Sequence, residues 1–178
     1  YACFQWPYRV VFVAESTKRE YGALEARANF EVITNALNAE PISQNKMEDK
    51  SVAKKAISIA ETKKVILSVG TICARKAQLD LVRAFEELPT ELIENCNLLL
   101  VGGSVGKYGT TTMKIIERNP LLKRNVHLIG ETEDPYPYYQ AADIYVCSSK
   151  NESYPLTILE AMLFGLPIVT TPTFGIRE

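Results

Sequence analysis

The chain has 178 residues, 47% hydrophobic and 23% charged, and a net charge of −1 from 20 basic and 21 acidic side chains. That length suits one compact domain, or a domain plus a piece of another, and buries about 70% of its unfolded surface without a disulfide or metal staple. The balanced charge advertises no nucleic acid or anionic membrane as partner.

Residues 10–14 read as a strand, 17–28 as a charged helix, 30–34 as a second strand, 38–49 as a loop and 51–61 as a surface helix. Five short apolar runs follow, at 65–69, 98–101, 126–129, 144–147 and 168–171. They are continuous rather than alternating, as strands buried on both faces should be. Helical segments separate them. Leu81, Ala84, Phe85 and Leu88 fall on one stripe closed by Pro89, and Met113, Ile116 and Leu121 mark a second helix with its stop at Pro120. A third, shorter helix lies near 138–142, and a fourth runs over 155–164 to Gly165 and Pro167.

Strand and helix alternating four times predict an α/β fold, a Rossmann-like doubly wound parallel sheet. In such sheets ligands bind beyond the carboxyl ends of the strands. The loops after Val69, Val101, Ile129, Cys147 and Thr171 are therefore the places to look.

No apolar run approaches the roughly 18 residues of a membrane span. The start YACFQWPYRVVFVAES lacks the layout of a signal peptide. Cys3, Cys73, Cys96 and Cys147 are scattered without a C-x-x-C pair and read as buried free thiols of a reducing, cytoplasmic compartment. The single histidine, His127, sits in an apolar run as a strand residue, which argues against a zinc cluster or a Ser-His-Asp triad.

The segment NESYPLTILEAMLFGLPIVTT (151–171) carries the densest chemistry. Glu152 lies in a strand-end loop, and Pro155 opens a helix that carries Glu160. The first-turn amides of that helix, near Ser153, Tyr154, Pro155, Leu156 and Thr157, form an anion site worth about 0.3–2 kcal/mol from the dipole. A carboxylate on a nearly all-apolar helix suits gripping vicinal hydroxyls, since it accepts more than one hydrogen bond. A capping glutamate and a solvated one are the competing, ordinary reading. GGSVGKY (102–108) is not a Walker A loop, because only three residues separate Gly102 from Gly106 and Tyr108 replaces Ser or Thr. Tyr136, Tyr138 and Tyr139 read as helix-to-sheet packing rather than a sugar-stacking platform.

Glu152 and Glu160, with seven residues between them and followed by AMLFGLPIVTT, resemble the signature of the group 1 glycosyltransferases, retaining enzymes of the GT-B fold. VILSVGTICARKAQ (65–78), LLLVGG (98–103), VHLIG (126–130), YYQAADIYVCSS (138–149) and FGIRE (174–178) follow in the family's order. The resemblance implies a donor-sugar contact for Glu152, a ribose contact for Glu160 and a diphosphate contact for Lys76. Where the family usually has Arg directly after the glycine, Gly70 is followed by Thr71, and Arg75 stands in for that charge. Ala77 occupies a position where the family prefers Gly. Backbone groups of Gly130, Glu131 and Thr132 are implied to cradle the base. Lys76, Arg75 and Glu152 form the implied catalytic set, without a metal or other cofactor.

By the same resemblance, residues 1–28 are the last strand and helix of an N-terminal, acceptor-binding domain, and 29–178 a donor-binding domain cut short at its C-terminus. The implied partners are a nucleotide-sugar donor and the missing domain, through which the parent protein could dock on a membrane. The piece alone is expected to bind donor without turnover. The alternatives are a catalytically silent binding module, a GT-B sugar-nucleotide epimerase and an NAD-dependent Rossmann enzyme. The last lacks its G-x-G-x-x-G.

Overall fold

The computed structural model describes residues 9–22, 27–40 and 49–177. A two-stranded parallel sheet comes first, pairing β1 (Val10–Phe12) with β2 (Phe30–Val32) around the short helix α1 (Glu15–Arg19). Phe12, Tyr21 and Phe30 pack ring against ring there. The helix expected over 17–28 ends at Arg19, ahead of Gly22 in the left-handed region (φ 54°). Residues 23–26 and 41–48, parts of that helix and of the expected loop, lie outside the described residues, as does Cys3. The division expected after residue 28 falls inside this small sheet.

After α2 (Lys50–Ala56) the chain builds the main layer from β3 (Lys64–Val69), β4 (Cys96–Val101), β5 (Val126–Gly130), β6 (Ile144–Cys147) and β7 (Ile168–Thr170). All are parallel, in the order β5-β4-β3-β6-β7. The sequence direction of the sheet reverses between β3 and β6, which is its switch point. The fold class is as expected.

The continuous apolar runs are explained by what lies on either face. Leu98 and Leu100 of β4 point to one core with Val82, Phe85, Ile116 and Leu122. Leu99 and Val101 point to the other with Tyr139, Tyr145, Ala161 and Phe164. Helices α3 (Gln78–Glu86), α4 (Thr90–Asn95), α5 (Gly106–Arg118) and α6 (Pro120–Asn125) contribute to the first core. The second core takes α7 (Tyr136–Ala141) and α8 (Leu156–Leu163). A 3-10 turn, Phe174–Arg177, ends the described chain.

Two short helices, α4 and α6, begin at or next to prolines that the pattern of the chain marks only as stops. Pro89 ends the α3 region and is also the N-cap of α4. Pro120 is the first residue of α6, with Asn119 Oδ1 accepting from the Leu121 amide (2.9 Å), so Leu121 belongs to α6 rather than α5.

The helix expected on the surface, α2, is instead anchored. Lys54 is 5% exposed. Its ammonium donates to the Lys63 carbonyl (2.8 Å) and to Asp143 Oδ2 (3.0 Å). Asp143 also accepts from Lys50 (3.2 Å) and the Val65 amide (2.9 Å), so one carboxylate ties α2 to the amino-terminal edge of the sheet. Burial pushes the Asp143 carboxyl up, but the Val65 amide, Lys54 and Lys50 together outweigh it and hold the group below its ordinary value.

A carboxyl held low contributes stability that is present above its unfolded value and lost as pH falls through its folded one. Asp143→Asn should therefore flatten the fall in urea-unfolding free energy between roughly pH 5 and pH 2. At pH 7, Asp143→Ala leaves the Lys54 ammonium with only a carbonyl and should cost about 3 kcal/mol. An unchanged acid profile would remove Asp143 from this role.

Candidate functional site

The carboxyl ends of β3, β4 and β5 are laced by backbone hydrogen bonds. The Gly70 amide donates to Val101 O (2.8 Å), Gly102 to Gly130 O (2.8 Å), Ile72 to Gly103 O (2.7 Å) and Val105 to Ile72 O (3.3 Å). Gly70 (φ 140°) and Gly102 (φ 143°) hold conformations that side chains rarely adopt. A Cβ on Gly102 would overlap the Gly70 carbonyl oxygen. Gln78, 2% exposed, completes the loop: its amide donates to Gly70 O (3.1 Å) and Thr71 O (3.0 Å) while Oε1 accepts from Cys73 N (3.3 Å). The Tyr108 hydroxyl accepts from the Leu79 amide (3.0 Å), drawing α5 against the start of α3.

On this frame sit the two cations. The turn through Arg75 and Lys76 is held to the loop after β6, since Ser148 Oγ donates to Lys76 O (2.9 Å) and the Lys150 amide to Arg75 O (2.8 Å). Lys76 Nζ lies 2.6 Å from Glu152 Oε1, and Arg75 Nη1 lies 3.0 Å from the same oxygen. Arg75 also donates to Asn151 O (3.1 Å). The Glu152 and Lys76 side chains are 8% and 14% exposed, and that of Arg75 is 53% exposed. Two cations thus share one buried carboxylate, with a net charge of +1. A Cβ on Gly70 would stand 3.3 Å from Lys76 Cε, so the glycine leaves the room that the lysine stem occupies.

Beside this cluster opens a cleft of about 390 Å³ lined by Arg75, Asn151, Glu152, Ser153 and Tyr154, with Val13 and Asn35 from the first segment. Asn35 Nδ2 donates to Tyr154 O (2.8 Å), and a Cβ on Gly175 would overlap the Ser153 carbonyl oxygen. The loop that enters α8 is therefore pinned on two sides. Pro155 is the N-cap of α8, and its carbonyl accepts from Ile158 N (3.2 Å). The first-turn amides of Leu156 and Thr157 have no partner within the helix.

Glu160 stands apart from the cation cluster. It is half-buried on α8, and its Oε2 accepts from the Tyr139 hydroxyl (2.6 Å). Glu131 and Thr132 are exposed on the loop after β5, where Thr132 Oγ1 accepts from Asp134 N (3.2 Å). Among the described residues no hydrogen bond links them to Glu152 or Glu160. The structure thus brings Gly70, Lys76, Arg75 and Glu152 together, and leaves Glu160 and the 131–132 loop as separate points around the same sheet edge.

Gln78, Ser148 and Asn35 were not singled out from the sequence. Polar residues that bond backbone at a distance carry no local pattern. Ala77 was, and its backbone is left-handed (φ 56°) with 1% exposure, which is why a glycine suits that position. The tyrosine cluster packs as expected: Tyr139 stacks on Tyr145 and Phe164, and Tyr136 tilts against Phe164. Of the described cysteines, all free, only Cys147 is buried; Cys73 and Cys96 are half-buried. His127 Nε2 lies 2.7 Å from Asn97 Oδ1, and burial pushes its pKa down. Among the described residues no group of three or more His, Cys, Asp or Glu could hold a metal ion, and no helix is long and apolar enough to cross a membrane.

The family model for glycosyl transferases group 1 matches residues 49–178. The chain is 25% identical over 140 residues to an uncharacterized glycosyltransferase of Methanocaldococcus jannaschii, covering 79% of this chain and 33% of that one. It is 29% identical over 130 residues to N-acetyl-alpha-D-glucosaminyl L-malate synthase of Bacillus anthracis, covering 73% and 33%. Its fold is similar to that of Anabaena HepE in complex with UDP and glucose, with a TM-score of 0.83, 23% identity, and coverage of 97% of this chain and 47% of that one. The chain spans about a third of the length of these curated relatives.

The two tight backbone positions should respond with opposite signs. Ala77→Gly relieves a left-handed residue and should raise stability by up to about 1 kcal/mol. Gly102→Ala forces the β3 and β4 loops apart and should lower it by about 1–3 kcal/mol. Urea unfolding of both variants checks the pair; a neutral Gly102→Ala would show that the loops separate freely.

Proposed function

The chain belongs to the group 1 glycosyl transferases, and we propose that it forms the half of such an enzyme that holds a nucleoside-diphosphate sugar and stabilises the departing diphosphate. The observation that carries this reading is the meeting of Lys76 and Arg75 on Glu152 Oε1 at the mouth of the cleft. When the bond between sugar and diphosphate breaks, negative charge gathers on the leaving phosphate. Two fixed cations and the first amides of α8 lower the energy of that charge without a metal ion. The UDP and glucose held by HepE support the same ligand class.

In this reading a diphosphate competes with Glu152 for both cations. As it takes them, the Glu152 carboxylate is released to accept hydrogen bonds from the donor sugar. Gly70 and Thr71 let the backbone come close to the phosphates, and Ser153 to Thr157 line the approach. Glu160 holds the ribose, and backbone groups of Gly130, Glu131 and Thr132 meet the base. Transfer with retention at the sugar carbon, and an acceptor bound by a further domain, belong to the same proposal. A silent binding module was suggested by Thr71 in place of an arginine. Arg75 reaches the carboxylate shared with Lys76, which favours a working phosphate site.

The test is a ligand-observed NMR screen of this chain against UDP, GDP, ADP and matching sugar nucleotides. Saturation transfer to one base and its ribose is expected, with a dissociation constant of roughly 0.1–1 mM; silence from a folded chain counts against the reading. Glu152→Gln discriminates further. At about 5 Å and an effective dielectric near 20, one removed like charge is worth about 3 kcal/mol, which screening in an open cleft reduces to about 1 kcal/mol. The bare diphosphate should therefore bind roughly three- to tenfold tighter, while the extra affinity conferred by the sugar shrinks. Weaker binding of the bare diphosphate would show that Glu152 does not mask the cations.

A further inference from the structure

We propose that Tyr139 is a positioning residue for Glu160: its hydroxyl ties down carboxylate Oε2 and leaves Oε1 as the oxygen that takes a ribose hydroxyl. This rests on the ribose reading of Glu160 given above.

Tyr139 is fully buried. Its ring stacks on Phe164 (centroids 5.4 Å apart, planes 5° apart) and on Tyr145 (5.7 Å, 25°). A fully buried ring stacked on two aromatic neighbours cannot swing, so the position of its oxygen is set by the core rather than by solvent. The hydroxyl has one proton; Glu160 Oε2 lies at 2.6 Å, Thr157 O at 3.2 Å, and the Tyr145 side chain is also in hydrogen-bonding reach. The shorter contact, to a carboxylate, takes the proton. Burial first, then the neighbouring Tyr145 and Glu160, push the phenol far above its ordinary range, so it stays a donor.

Glu160 has the opposite problem. It is only half-buried, and a glutamate side chain gives up rotamer entropy when it is fixed. A tether on Oε2 removes that freedom before ligand arrives. Each carboxylate oxygen offers about two acceptor sites, so the tether leaves Oε1 whole for the ligand. Tyr139 sits on α7 and Glu160 on α8, twenty-one residues apart, so the tether also couples the aim of the carboxylate to the packing of the two helices.

Tyr139→Phe keeps the ring and deletes only the hydroxyl. Without ligand, three-bond couplings should show Glu160 in one side-chain rotamer in the parent chain and averaged over several in Tyr139→Phe. With ligand, the variant should bind whichever of UDP, GDP and ADP the chain takes five- to tenfold more weakly, and bind the 2′,3′-dideoxy counterpart as the parent does. An unaveraged Glu160, or equal losses for ribose and dideoxyribose, would overturn the positioning role. Glu160→Ala separates the two claims. If it abolishes the preference for ribose while Tyr139→Phe does not reduce it, the ribose reading stands and the tether falls. If Glu160→Ala leaves that preference intact, both fall together.

Discussion

Everything at this site depends on how closely the backbone of one strand-end loop approaches that of the next. Gly102 stands against the carbonyl of Gly70, and four backbone hydrogen bonds stitch the loops after β3, β4 and β5 into one edge. Buried amides must find acceptors, and here they find them in neighbouring loops rather than in water. A methyl group at Gly102 would open that seam. Gln78 closes it from below by bonding three backbone groups of a single loop.

Two glutamates rest on this edge with different supports. Glu152 is held by charge: two cations on a turn that is itself fastened to the loop after β6. Taking Glu152 and Lys76 out of water costs about as much as their attraction returns, so the pair is a weak stabiliser of the fold and an arrangement a competing anion can displace. Glu160 is held by a neutral hydroxyl fixed in the aromatic core. One support is an ionic contact shared by two cations, and the other is a single hydrogen bond from a neutral group. At the opposite edge, the Lys54–Asp143 contact anchors α2 without touching the site.

The five-stranded sheet was legible because its runs of Val, Leu and Ile are short and continuous, as in strands covered on both faces, although the edge strand β7 leaves Val169 exposed. The misreadings came from residues with two roles. Pro89 and Pro120 stop one helix and open the next, and the pattern of the chain records only that something changes there. Lys54 looked solvated because a lysine on a short helix usually is; its burial depends on an aspartate 89 residues later.

For the site, the sequence by itself determined the order of the loops, the seven residues between Glu152 and Glu160, and the glycines that allow close approach. Those are local properties, set by backbone conformation and helical period. Only the tertiary structure decided that Lys76 and Arg75 converge on Glu152, that Glu160 turns to Tyr139, and that Asn35 reaches across to Tyr154. Such pairings join groups 21 to 119 residues apart. A hydrogen bond is made only within a few tenths of an ångström, and that placement comes from how helices and loops pack, not from the residues along one segment.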